Sequence, residues 1–261
     1  MLMQLLLKLW PPISFFIVSA VTTAFALTGL YLVRKKYPAE VLKENHEVAA
    51  IIFNAFGLFY GVMLAFVVFV TWSGYSDATK DLEMEANLAD DLFHISGAFQ
   101  EPARTVMQKG MLNYVTSVYN DELQRMAQGE IEIHSTGTMS GLITTFYQLD
   151  EKSFPNKQIY AEALSRLNNL AEYRRLRIFT GNDTVPLVVW LVLLVGAVFT
   201  VCFNYLFGMK NIRAQYLITA TLTVTMSQIL FLIYVLDHPF TGASRISTEP
   251  LRQVIEVMQA K

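Results

Sequence analysis

The sequence predicts an all-α fold: a four-span helical membrane protein with a helical extramembrane domain between spans two and three. Three observations carry that prediction. The run 48–76, VAAIIFNAFGLFYGVMLAFVVFVTWSGYS, contains no charged residue and exceeds the about 20 apolar residues that cross roughly 30 Å of hydrocarbon. Charged residues make up 16% of the chain, against about 25% in an average soluble domain, and the mean hydropathy is +0.37. No stretch sustains the period-two alternation of a strand, the short run 130–134 excepted, whereas apolar residues recur at helical spacing through the polar middle of the chain.

In order, residues 1–10 are apolar with one lysine, and Pro11 and Pro12 then suit the first turn of a helix. The N-terminus lacks a small-residue cleavage site after a basic segment, so removal as a signal peptide is not expected. Ile13 to Val33 is the first span, closed by Arg34, Lys35 and Lys36. A link of mixed charge leads to the second span, and together these make a first helix pair over 1–76. Residues 77–183 are polar and too long for a simple loop. Leu82, Leu88, Leu92 and Ile95 extend the second span into water until Gly97 and Pro102 break it. Val106, Met111, Tyr114, Val115, Val118 and Met126 mark a further helix, ended by Gly129. Met139, Leu142, Ile143, Phe146 and Leu149 mark the next, which stops before Pro155. Tyr160, Ala163, Leu164, Leu167, Leu170, Ala171 and Tyr173 mark another. These stripes are most simply a helical core.

Residues 180–186, TGNDTVP, read as a helix start. Asn182-Asp183-Thr184 also fits a glycosylation acceptor, but capping explains the cluster more simply. The second helix pair, 184–236, comprises spans Val185 to Phe207 and Tyr216 to Leu236, joined by a short link with Lys210 and Arg213. The hydroxyls of Thr219, Thr221, Thr223, Thr225 and Ser227 can satisfy carbonyls of their own helix. Residues 237–261 form a sharp turn and then an amphipathic helix with Leu251, Val254, Ile255 and Met258 on one face.

The second span carries structure inside its apolarity. Gly57, Gly61 and Ala65 recur every four residues, and such a small face lets backbones approach closely where lipid supplies no hydrophobic drive. The same spacing is common in any packed membrane helix. Asn54 is the one strongly polar side chain in the run and needs a partner on another helix, another subunit or water. Trp72 and Tyr75 stand where amphipathic rings favour the headgroup level.

Several function classes are disfavoured. The net charge of −2 and the lack of a basic block give no grip on nucleic acid. The single cysteine, Cys202, cannot form an intrachain disulfide or a cysteine-based metal site. The four histidines are scattered, with no metal-ligand spacing and no nucleophile or phosphate-binding motif, so neither an enzyme nor a cofactor is expected. The Asp90-Asp91 pair reads as a solvated helix face. The spans hold no Asp, Glu, Lys, Arg or His. Such residues in membrane usually serve proton relays or substrate pairing, so their absence counts against a coupled pump and is compatible with a passive pore. With four spans, both termini and the polar section share a face. Lys8, Lys80, Arg174, Arg175, Arg177, Arg245 and Arg252 lie on that face, against Arg34, Lys35, Lys36, Lys43, Lys210 and Arg213 on the other. This near-balance does not settle orientation, although the dense 34–36 cluster favours cytoplasmic short links.

A family resemblance follows from particular residues. Asn54, Gly57, Tyr60, Gly61, Leu64, Ala65 and Phe66, then Trp72, Tyr75, Glu85 and Ala86, resemble the second-span pattern of the bestrophin-like family of bacterial membrane proteins. The post-membrane turn with Asp237, His238, Pro239, Phe240 and Gly242 resembles its second motif. More remotely, the chain is similar to bestrophins, which are pentameric anion channels. That likeness implies a bacterial inner-membrane homopentamer, in contact with lipid and permeant ions, with the second helices around the pore and the polar section cytoplasmic. It places the narrow neck at Asn54, Leu58 and Val62, one helix face. Leu58 and Val62 suit a hydrophobic constriction, whereas Asn54 departs from the apolar pattern. The acidic collar Asp77, Asp81, Glu83 and Glu85 is a second departure, since such a ring favours cations. No dense acidic cluster near the C-terminus matches the calcium site of animal bestrophins.

The expected function is therefore an oligomeric passive ion channel, anion-conducting by resemblance. Its main rival is a non-conducting membrane anchor whose helical domain binds a partner protein. A pentameric motor stator is a third reading, but it needs an intramembrane acid that these spans lack.

Overall fold

The computed structural model describes residues 9–38, 46–130, 137–209 and 211–260. The expected short alternation at 130–134 falls, beyond Glu130, outside the described residues, as do residues 1–8, most of the first link and Lys210. Among the described residues there is no strand. The helices are α1 (Pro11–Lys36), α2 (His46–Ser96), α3 (Ala103–Ser117), α4 (Leu123–Gln128), α5 (Gly137–Tyr147), α6 (Lys157–Asn182), α7 (Leu187–Tyr205), α8 (Ile212–Leu236) and α9 (Glu249–Gln259). A π-helical turn, Val118–Glu122, joins α3 to α4, and a 3₁₀ turn, Glu151–Ser153, precedes α6.

Among the described residues, four helices are long and apolar enough to cross a membrane: α1, the apolar part of α2, α7 and α8. Backbone polar groups in hydrocarbon must be satisfied within the segment, and these continuous helices do so. The chain divides into two compact units, residues 1–73 with 184–237, and residues 74–183 with 238–261. The C-terminal turn and α9 thus share a unit with the polar middle section rather than standing apart. Helix α2 contributes to both units. It is 51 residues long.

In the first unit, small residues set the packing. Ser14, Ser19, Ala26 and Leu30 of α1 are buried, and the Ser227 hydroxyl of α8 reaches that of Ser19 at 3.5 Å. Tyr60, Leu64 and Val67 of α2 form a core with Leu193 of α7 and Ile233 of α8. The Tyr60 hydroxyl donates to the Leu193 carbonyl at 2.7 Å. Gly196 makes that approach possible, since a Cβ there would overlap the Tyr60 ring. As expected, the α8 hydroxyls turn back on their own helix. Thr219, Thr223 and Thr225 donate to carbonyls four residues earlier, and Asn204 of α7 donates to the Thr219 hydroxyl at 2.6 Å.

The second unit is built on the core stripe Ala78, Leu82, Ala86, Ala89 and Leu92 of α2, against Met107, Met111, Val115, Phe146, Leu167 and Leu170. Gly129 ends α4 at φ 85°, the left-handed position that glycine adopts without a Cβ penalty. Leu251, Val254 and Met258 of α9 are buried in the same core. One expectation is corrected. The cluster at 180–186 does not cap the next helix: Thr180 to Asn182 complete α6, and the Asn182 amide donates to the Ile178 carbonyl. Helix α7 starts after Pro186 with no side-chain cap.

Candidate pore-lining helix and a buried ionic quartet

Along the apolar half of α2, Phe56, Tyr60, Leu64 and Val67 turn toward the first unit's core. Asn54, Leu58 and Val62 lie on the other side of the helix, because four-residue steps advance a stripe by only about 40° each. All three are exposed in the single chain, Leu58 at 67% and Val62 at 63%. Gly57, Gly61 and Ala65 flank this stripe. Among the described residues, nothing beyond the local backbone of α2 lies within 4 Å of a Cβ built on Gly57 or Gly61, and Ala65 is exposed. Among the described residues, the small face therefore packs against no other helix. Trp72 is 60% exposed. Tyr75 is half-buried and donates to the Ser244 carbonyl at 3.3 Å.

The four carboxylates read as a collar do not form one set. Asp77 and Glu83 are exposed, Asp81 is half-buried beside Thr180, and Glu85 is fully enclosed. Glu85 is corrected to a core residue: Arg177 binds it through Nε at 2.5 Å and Nη2 at 3.2 Å, and the Tyr114 hydroxyl donates to it at 2.5 Å. Arg177 also reaches Glu122 at 2.8 Å, and Arg174 reaches the other Glu122 oxygen at 2.8 Å. Two carboxylates and two guanidiniums thus form a neutral, buried quartet. Burial alone would lower the Arg177 pKa, but Glu85 and Glu122 outweigh it and raise it. Burial pushes the Glu122 carboxyl up, and Arg177 with Arg174 pull it further down, to a net value below the usual range. The Tyr114 phenol is pushed well up by burial and by the Glu85 charge, so it stays a donor.

Sequence reading missed this quartet. The signal was present: Ala163, Leu167, Leu170, Arg174 and Arg177 follow one another at three- and four-residue steps on the core face of α6. A stripe read from apolar residues alone ends at Tyr173, because arginine reads as solvated.

The post-membrane turn is ordered by specific bonds. The Asp237 carboxylate accepts from the Val185 backbone at 2.7 Å, satisfying the chain just before α7. Phe240 is buried in the second unit's core, the Pro239 carbonyl accepts from Ile246, and Gly242 adopts φ 81°. Among the described residues no group of three or more His, Cys, Asp or Glu side chains is placed to hold a metal ion.

A family model described as Bestrophin-like domain matches residues 20–251. The chain belongs to the Bestrophin-like family. The match takes in the first span of this Bestrophin-like chain from residue 20 onward, covers the other three spans and reaches the start of α9. A crystal structure of a bacterial Bestrophin homolog from Klebsiella pneumoniae, carrying a point mutation, has a TM-score of 0.70 to it. The two are 13% identical over 95% of this chain and 99% of that one. A second crystal structure of a Bestrophin homolog from Klebsiella pneumoniae, phased with zinc, has a TM-score of 0.66 at 13% identity, covering 94% of this chain and 95% of that one. A point-mutated membrane protein, also solved by crystallography, has a TM-score of 0.66 at 14% identity over 94% and 95% of the two chains. At such identities the likeness is one of fold. No curated protein matches the sequence.

Proposed function

We propose that this Bestrophin-like chain is the subunit of a passive, anion-conducting channel, a homopentamer in the bacterial inner membrane, with the second span lining the pore. Family membership supports the channel class. The observation that carries the pore assignment is the exposed, uncharged stripe Asn54, Leu58 and Val62, set opposite the face of the apolar half of α2 that packs in the first unit's core. Gathered around an axis, Leu58 and Val62 would form apolar rings of the kind that gate by dewetting, with the Asn54 amides wetting the approach. The small face beside them would let neighbouring copies of α2 approach.

The test is reconstitution into planar bilayers across a chloride gradient. Wild-type protein is expected to conduct with a reversal potential set by the anion, and Leu58→Ala or Val62→Ala to raise the current severalfold. Silent bilayers over varied salts, voltage and pH would overturn the reading. So would an image of the assembly with no central passage. A monomer or dimer that copurifies with a stoichiometric protein would favour the anchor instead.

A further inference from the structure

A groove of about 480 Å³ opens between α1, α7 and α8, walled by Phe25, Trp190, Leu194, Val198 and Phe231. Its hydroxyls offer a guest little. Thr22 donates to the Val18 carbonyl, Thr223 to Thr219, and Tyr205 to Ala26. The volume lies in the range of ligand pockets, about 300–1,000 Å³. Along α7 the lining runs from Trp190 to Tyr205, about 22 Å at 1.5 Å per residue. That length suits an extended hydrocarbon chain rather than a compact metabolite.

The ends of the helices supply the second observation. Arg34, Lys35 and Lys36 fill the last turn of α1. Arg213 stands exposed in the first turn of α8, which follows the end of α7 at Tyr205 after a short link. Arg34 ties these ends together by donating to the Met209 carbonyl at 3.1 Å, and its other terminal nitrogen is buried without a partner. No Asp or Glu occurs on α1, α7 or α8. The charged side chains that α1, α7 and α8 carry at this end are therefore all basic, and they belong to the same unit as the trough.

We infer that this groove holds one acyl chain of an anionic phospholipid per subunit, with the phosphate over Arg34 and Arg213. The guanidiniums meet the phosphate as charge-assisted donors, and the trough excludes bulk lipid from the space that α1 and α7 leave open. The site does not depend on conduction, so it can stand or fall separately from the channel assignment.

The chain's single cysteine, Cys202, lines the groove and is exposed. Full-length protein delipidated in detergent is expected to react at Cys202 with a membrane-permeant maleimide. Phosphatidylglycerol should slow that reaction at least tenfold, and phosphatidylcholine should do so only at higher concentration. Native mass spectrometry should find one retained phosphatidylglycerol per subunit. Val198→Trp, which fills the trough from an exposed position, should abolish retention without changing the oligomer. Arg213→Gln should cut the preference for the anionic lipid about fivefold, the value of one basic residue near an anionic lipid surface. Retention untouched by Val198→Trp would overturn the inference, as would equal protection by both lipids. Protection of Cys202 that tracks oligomer formation without lipid would also overturn it, because a second copy of the chain would then cover the groove.

Discussion

At the scale of single residues, the enclosed quartet sets the sharpest expectations. A buried ion pair gains little net stability over an apolar replacement, but losing one partner leaves a charge uncompensated, at about 3–5 kcal/mol. Arg177→Met strands Glu85, and it is expected to lower the thermal midpoint in detergent sharply. Combining it with Glu85→Gln should recover part of that loss, because the double variant leaves less buried charge unpaired than the arginine substitution alone. The pH dependence has two components of opposite sign. The Glu122 carboxyl sits below its usual range when folded, so its stabilisation is present above the unfolded value of about 4.3 and disappears as pH falls through the folded value. Asp81 is raised, first by burial and then by the nearby Asp77 and Glu85 charges, with Thr180 pulling the other way. The folded state therefore holds the Asp81 proton to higher pH, and stability falls as pH rises between the unfolded value of about 3.9 and the raised one. Asp81→Asn should raise the midpoint at pH 7, with the gain over wild type fading toward pH 3. A thermal midpoint series for both proteins from pH 7 to 3 checks both signs. The sequence shows Arg174 and Arg177 at the core steps of α6 but not their pairing, since the carboxylate partners of Arg177 lie 92 and 55 positions away and only the fold brings them beside it.

At the scale of elements, two glycine settings behave differently. Gly196 on α7 is where the Tyr60 ring lies against the backbone. Gly196→Ala must displace a buried aromatic whose hydroxyl is bonded to Leu193, and overpacking of this kind costs about 1–3 kcal/mol. Tyr60→Ala makes room, so the double variant should lose clearly less than the two single losses combined, a cycle read by chemical denaturation in detergent. Gly61 meets no other described element of its own chain. Gly61→Leu should leave the thermal unfolding of the isolated subunit unchanged while reducing the native oligomer in mass spectrometry. An unchanged oligomer would show that the small face meets lipid. Span positions and the amphipathic stripes of α3, α5, α6 and α9 could be read from period and charge alone. The cap at 180–186 could not, because Asn and Asp serve the end of one helix as readily as the start of the next, and only the Asn182 bond to Ile178 decides.

At the scale of the whole molecule, the exposed side of α2 was legible as apolar but not as pore-lining, since lipid, another helix and a dewetting constriction all select apolar side chains. What distinguishes them is the assembled channel's selectivity, and here the collar gives a clean contrast. Asp77 and Glu83 are exposed, whereas Glu85 is neutralised inside the core by Arg177. In the proposed symmetric channel each exposed carboxylate would be repeated once per subunit, and a ring of them would repel anions over the Debye length of about 8 Å at 0.15 M salt. Asp77→Asn with Glu83→Gln should therefore move the reversal potential in a chloride gradient toward the chloride limit. The shift should be largest at 0.01 M salt, where that length grows to about 30 Å. Glu85→Gln changes no exposed charge. Channels of that variant that survive folding should keep wild-type selectivity while losing thermal stability. A selectivity shift from Glu85→Gln equal to that of the double variant would mean that the charge sensed by the ion lies in the buried quartet and not on the exposed carboxylates.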